Sequence, residues 1–160
     1  MYDEAAAWFS TEVMHQYGIY FMPTAKHMNK KDHGLSLIKD QVSDLKIQKV
    51  RTGEKVFDWT IPKEWQIDEA YIICPDGKKI CDFSINNLHV VGYSIPVNKK
   101  LDLTELQEHL HSLPKQPKAI PYITSYYNEY WGFCISDNER KNLKDGVYEI
   151  FIKSRLFKGY

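Results

Sequence analysis

A chain of 160 residues with 43% hydrophobic and 14% aromatic content is long and apolar enough to bury a core of one ordinary domain. Its 21 basic and 21 acidic residues cancel, so no long-range field draws it to nucleic acid or an anionic membrane, and neither is expected as a partner. No apolar run approaches the roughly 18–20 residues that span a bilayer, and Asp3 and Glu4 leave only the brief run 5–9 near Met1, so neither a secretory signal nor an anchor is expected.

The first 17 residues read as a helix, with Phe9, Val13 and Tyr17 four apart on one face and Asp3 and Glu4 at the positive end; Pro23 closes it. Leu35, Ile38, Val42 and Leu45 recur at three- and four-residue steps, which predicts a second helix over 33–45. Together they form a helical lead-in, residues 1–48.

From there the period turns alternating and β-branched and aromatic residues accumulate, predicting strands over 46–50, 56–60 and 69–74. Pro75-Asp76-Gly77-Lys78 reads as a hairpin turn into a strand over 80–83, because glycine accepts positive φ at little cost. A strand over 89–95 follows. Asp102 as N-cap with Glu105 three residues on marks a helix over 103–112, ended by Pro114. Strands are then expected over 122–127 and 132–135, a short helix capped by Ser136 with Glu139, and a final strand over 147–153 with Tyr148, Ile150 and Ile152 facing one way. The fold class is α+β: a short helical lead-in, then a mostly antiparallel β-rich domain, residues 49–160, with one well-capped helix.

Cys74, Cys81 and Cys134 are an odd number without a CxxC pair, which fits reduced thiols in a cytoplasmic protein. If Asp76-Gly77 is a two-residue turn, Cys74 faces Lys79 and Cys81 faces Ile72, setting the thiols diagonally about 7 Å apart at Cα, beyond the usual reach of a disulfide. His109 and His111, two apart on a predicted helix, point about 200° apart and cannot share an ion, so they read as a solvated face. His27, Asp32 and His33, with His15 if the first helix packs nearby, match no known zinc spacing. No Gly-x-Ser-x-Gly elbow or phosphate-binding glycine loop is present, and Glu64, Asp68 and Glu69 read as a soluble edge. No catalytic or metal-ligating residue is assigned.

Tyr122, Tyr126, Tyr127, Tyr130 and Trp131 fall within ten residues, interspersed with Thr124, Ser125, Asn128 and Glu129. Rings beside hydrogen-bonding groups suit a peptide or sugar surface, and Tyr126, Tyr127, Trp131, Thr124 and Ser125 are the candidate substrate-binding residues. The alternative is that half of these rings pack in the core and the others cover a domain interface. Trp59 and Trp65, flanking Pro62, read as a packed corner.

Several long strings resemble one family: 55–65, 87–98, 106–110 leading to Leu113-Pro114, and 119–127 continued by Trp131-Gly132-Phe133-Cys134. They resemble bacterial zinc-aminopeptidase-like proteins, which are similar to di-zinc exopeptidases, carry a small β-rich domain inserted early, and end in a winged helix. The likeness covers about residues 49–160. It implies a metallopeptidase-type hydrolase in which two His and acidic residues bind zinc while a Glu activates the metal-bound water. Those ligands would lie beyond residue 160, so the resemblance implies a truncated front end with no cofactor of its own, although the complete family member holds zinc. The first 48 residues depart from the family, with Pro23-Thr24-Ala25-Lys26-His27 where an Arg-Ser-(Ile/Leu)-Thr-Gly-like element is usual.

Two functions are compatible with this reading. The chain is the inserted domain of an aminopeptidase-like protein, lining its cleft and inactive alone, with a missing catalytic domain or a second copy as partner. Alternatively it is a stand-alone module for a peptide or glycan, linked to surface-polysaccharide biosynthesis. If residues 147–157 form an unpaired edge with Phe151 and Phe157 exposed, the fragment reading gains.

Overall fold

The computed structural model describes residues 38–46, 49–126 and 128–159, and the chain divides into two units, Met1–Val50 and Arg51–Tyr160. In the first unit the described residues contain a helical turn at 38–41, with the Val42 N–H donating to Ile38 O at 2.9 Å and that of Leu45 to Val42 O at 3.0 Å. The second expected helix therefore stops before Leu45; its start, and the whole of the first helix, lie outside the described residues. Positions 46, 49 and 50 join no strand, and 47–48 are likewise outside.

The Arg51–Tyr160 unit is built on an antiparallel four-stranded sheet. Its strands are β3 (Glu64–Ile73), β4 (Lys79–Ile80), β5 (Val97–Asp102) and β8 (Val147–Phe157), in the order β4-β3-β8-β5. Two shorter pairs complete it: β1 (Lys55–Val56) with β2 (Trp59–Thr60), and β6 (Leu110–His111) parallel to β7 (Phe133–Cys134). Among the described residues the α-helices of this unit are α1 (Leu103–Gln107) and α2 (Asp137–Lys141), with a 3-10 turn at Asn87–His89. No helix among the described residues is long and apolar enough to cross a membrane.

The sheet's buried face comes from alternation: Trp65 and Ile67, then Ala70 and Ile72, on β3; Tyr148, Ile150 and Ile152 on β8. The step of three between Ile67 and Ala70 would put Ala70 and Ile72 on the wrong face of a regular strand. A bulge absorbs the extra residue, because the pairing moves from Ile67↔Ser154 to Glu69↔Lys153 and leaves Asp68 out of the ladder. On the opposite face Tyr71 stacks on Phe151, 5.2 Å between ring centroids, with the Lys79 ammonium 4.1 Å from the Tyr71 centroid.

Strand β8 is longer than expected and lies between β3 and β5, so it is not an unpaired edge, and Phe151 and Phe157 are half-buried. The sheet's edges are β4 and β5; polar Asn98, Lys99 and Lys100 disguise β5 in the sequence, and only its Leu101 is buried.

The turn after β3 holds three residues instead of two. Cys74 N–H donates to Lys78 O at 2.8 Å, Gly77 N–H donates to Cys74 O at 2.9 Å, and Gly77 sits at φ 80° as a left-handed bulge residue. The register slips by one, to Ile73↔Lys79 and Ile72↔Ile80, so Cys74 faces Lys78 instead of Lys79 and Cys81 does not face Ile72. All three thiols are free.

The capping box at Asp102 forms as expected, the Glu105 N–H donating to its carboxylate at 2.9 Å, and Ser136 caps α2. Yet α1 ends at Gln107 instead of residue 112. Tertiary pairing claims the following residues: Phe133 N–H donates to His109 O at 2.8 Å and Ile135 N–H to His111 O at 2.9 Å. The expected strands over 89–95 and 122–127 reduce to the bridges Val90↔Phe133 and Gly92↔Thr124, broken by left-handed Tyr93 (φ 67°) and Tyr126 (φ 45°). The expected strand 56–60 is a small hairpin instead, with Phe57 at φ 57° in its two-residue loop.

Gly146 joins α2 to β8 at φ 148°, and a Cβ there would lie 2.5 Å from Pro75 Cγ. Gly146→Ala is expected to cost about 1–3 kcal/mol from the backbone alone, with Pro75 forced aside in addition. Gly77→Ala, which meets open space, should cost less; urea midpoints of the two variants make the comparison.

Candidate functional site

Two of the five candidate residues, Thr124 and Ser125, converge on one carbonyl through three groups. Ser125 N–H donates to Gly92 O at 3.0 Å, and the Ser125 and Thr124 hydroxyls approach the same oxygen at 3.3 and 3.4 Å. Gly92 N–H returns a bond to Ile123 O at 2.8 Å. A Cβ at Gly92 would stand 3.1 Å from Thr124 Oγ1, so a larger residue there needs Thr124 to give way by a few tenths of an ångström.

The clamp sets Tyr126 against Tyr93, 5.2 Å between centroids, and Tyr93 in turn stacks on Trp65 at 6.0 Å and 15°. Trp65 is 6% exposed, and its indole N–H donates to Ser94 O at 2.8 Å. Ser94 is itself buried; its hydroxyl donates to Val91 O at 2.6 Å and accepts the Gly132 N–H at 3.3 Å. The result is a file of three rings, one from strand β3 and two from loops, rooted in the core and ending in half-buried Tyr126. Both tyrosines hold left-handed backbone, a strain of about 1–3 kcal/mol each, which persists only where surrounding structure imposes it. The sequence reading missed Tyr93: nothing local signals a left-handed tyrosine, because tertiary stacking creates it. Trp65 takes the packed position expected of it.

Trp131 belongs to another cluster. It is 7% exposed, with the His109 ring 3.6 Å from its own and the Lys99 ammonium 4.7 Å from its centroid. Tyr127 lies outside the described residues. His109 and His111, expected on a solvated helix face, instead sit half-buried on the turn and strand after α1. His109 Nδ1–H donates to Trp131 O at 2.9 Å, and His111 Nε2 bonds the Tyr130 hydroxyl at 2.9 Å. Burial, then the Arg140 charge and His109, hold His111 below the usual histidine range. Burial likewise raises Tyr130.

Among the described residues no group of three or more His, Cys, Asp or Glu is placed to hold a metal ion. Burial pushes the Cys134 thiol up to about 12 and raises Cys81 further, with Glu139 adding to it, so both are held as protonated thiols. A thiol held protonated in the folded state stabilises that state below the ordinary value of 9.0 and loses its contribution as pH climbs toward 12. Stability should therefore fall above pH 9, and Cys134→Ala should flatten that slope in urea titrations at pH 8 to 10. Apart from the ring file, a concavity of about 520 Å³ lies between the β3–β4 turn and the α2–β8 connection, floored by Ile80, Ile135, Leu143 and Tyr148.

A family model described as a domain of unknown function, DUF2172, matches residues 64–155, more than half of the chain. The chain is 50% identical over 115 residues to a Clostridium acetobutylicum protein described as a putative polysaccharide biosynthesis protein with aminopeptidase-like domain, a match covering 72% of this chain and 26% of that one. It is also similar to the crystal structure of a putative peptidase from Clostridium acetobutylicum: TM-score 0.73, 45% identity, 82% of this chain and 31% of that one. The chain thus spans about a quarter to a third of the length of these relatives. With the match running from the first residue of β3 nearly to the end of β8, the chain belongs to the DUF2172 domain family.

Proposed function

We propose that Arg51–Tyr160 is an accessory lobe of a longer, zinc-dependent aminopeptidase-like protein, forming a wall of its substrate cleft with Tyr126 and not catalytic alone. The carrying observation is that the lobe's two ends are tied together: Thr52 N–H donates to Gly159 O at 3.0 Å, and Gly159 N–H donates to Thr52 Oγ1 at 3.0 Å. A unit that closes on itself where the chain enters and leaves can project from a larger body without disturbing it. The names and lengths of the relatives support the same reading. Zinc in this reading is held outside the matched segment, for the described residues supply no ligand set. The free thiols support a reducing compartment such as the cytoplasm.

The test compares bound zinc and release of amino acids from a peptide pool for this chain and for the full-length Clostridium putative peptidase. Zinc and turnover are expected for the longer protein only. Stoichiometric zinc with turnover by the 160-residue chain would overturn the reading and direct attention to His15, His27, Asp32 and His33.

A second reading, a binding module for a peptide or glycan, draws on the Trp65–Tyr93–Tyr126 file and on the polysaccharide term in one relative's name. Loss of ligand binding by this chain on Tyr126→Ala, with unchanged unfolding, would favour it.

A further inference from the structure

We propose that the concavity between the β3–β4 turn and the α2–β8 connection binds a small zwitterion with an apolar side chain, the chemistry of a free apolar amino acid or of a dipeptide of such residues. The site rests on this lobe's own geometry and goes beyond the accessory-lobe reading, which stands or falls separately.

Its walls are fixed before any ligand arrives. Cys74 N–H donates to Lys78 O at 2.8 Å and closes the turn on one side, while the Tyr148 hydroxyl donates to Lys144 O at 2.6 Å and anchors the connection on the other. The two walls meet where Gly146 lies against Pro75, so closely that a Cβ there would stand 2.5 Å from Pro75 Cγ. Between them about 520 Å³ stays open over the floor of Ile80, Ile135, Leu143 and Tyr148. That falls within the roughly 300–1,000 Å³ of small-ligand sites. An open apolar floor holds water that a ligand's apolar side chain displaces, which supplies a driving force for binding.

The rim sets the ligand's charge. The carboxylates of Asp76 and Glu139 are already engaged, the first accepting from Lys78 N–H at 3.0 Å and the second from the Ser136 hydroxyl at 2.5 Å. Lys78, Lys144 and Asp145 also line the concavity; they are exposed, and their charged ends form no ion pair among the described residues. Each wall thus offers a cation, and one of them also an anion. A simple anion would meet the Asp145 carboxylate, and a simple cation the two ammonium groups. A molecule with an ammonium and a carboxylate beside an apolar side chain answers both signs and the floor together.

The place in the fold keeps the site open. The β3–β8 ladder runs from Glu64↔Phe157, beside the Thr52–Gly159 closure, to Ile73↔Glu149, beside the concavity. That length of strand is about 30 Å, so a larger body joined at the closed end leaves the concavity facing solvent.

The experiment titrates this 160-residue chain with L-leucine and with L-leucyl-L-leucine while its backbone amides are followed by NMR. Isocaproate, isopentylamine and N-acetyl-leucinamide serve as probes lacking the ammonium, the carboxylate or both charges. The expected result is saturable shifts confined to residues 74–80 and 142–148, with each of the three probes about tenfold or more weaker. Asp145→Asn should weaken leucine binding by a similar factor, whereas Asp58→Asn, the same change at an exposed position of the β1–β2 hairpin, should not. Tighter binding of the dipeptide would support the site with a peptide as its ligand, and tighter binding of leucine would support it with a free amino acid. No shift by either up to about 10 mM would overturn the proposal. So would equal binding of N-acetyl-leucinamide, or an Asp145→Asn variant that binds as wild type. Shifts centred on Trp65, Tyr93 and Tyr126 would overturn the location and favour the ring file as the binding surface.

Discussion

Phe133→Ala is expected to lower the unfolding free energy by about 3–5 kcal/mol, a fifth or more of what a domain with about 5–15 kcal/mol in total can lose. Phe133 is fully buried, and its strand is held on both sides: it pairs with Leu110 in β6 and bridges to Val90. The backbone cannot collapse into the space the ring leaves, because the Phe133 N–H stays bound to His109 O at 2.8 Å and the neighbouring Gly132 O to the Val91 N–H at 3.0 Å. The cavity should therefore persist. Urea unfolding should show a lower midpoint at constant slope, whereas Val147→Ala, at a position 57% exposed, should stay within about 0.5 kcal/mol of wild type. A loss under about 1 kcal/mol for Phe133→Ala would mean that β7 is not held between β6 and Val90 as described.

Trp65→Ala should be comparably damaging, about 3–5 kcal/mol from the lost indole and its cavity, and its consequence should travel along the ring file. Trp65→Phe separates the two contributions. It keeps a ring against Tyr93 but drops the N–H donated to Ser94 O, a carbonyl that also accepts from the Ser154 hydroxyl at 2.7 Å. That oxygen stays satisfied, so the missing bond itself should cost only about 0.5–1.5 kcal/mol. Near-ultraviolet circular dichroism should show the tyrosine environment preserved in Trp65→Phe and lost in Trp65→Ala at temperatures where both remain folded. If both variants retain it, the left-handed conformations of Tyr93 and Tyr126 are imposed by their own loops and not by the stack.

Where a feature depends on neighbours in sequence, it was readable. Asp102 and Glu105 announced their capping box, Ser136 its helix, and the spacing of Tyr148, Ile150 and Ile152 the buried face of β8, because caps and alternation are satisfied within a few residues. Thr124, Ser125 and Tyr126 were also found as a group, since they are adjacent in the chain.

Where a feature depends on distant partners, local pattern misled. The capping pair at Asp102 and Glu105, with Pro114 beyond, suggested helix through residue 112, but backbone bonds from Phe133 and Ile135 compete for His109 and His111 and draw them out of it. The Lys-rich β5 carries almost no apolar signal and is a strand because β8 pairs with it along its length. Trp131 looked available because of its polar neighbours, yet Lys99 and His109, remote in sequence, cover its ring. By itself the sequence determined the α+β class, the caps, the alternating core of the last strand and the likeness to aminopeptidase-like proteins. Only the tertiary structure decided that β8 is interior, that Tyr93 joins Trp65 and Tyr126, and that Thr52 and Gly159 close the lobe. Those outcomes rest on pairings across up to 107 positions, and the free energy of such contacts exists only once the chain has brought the partners together.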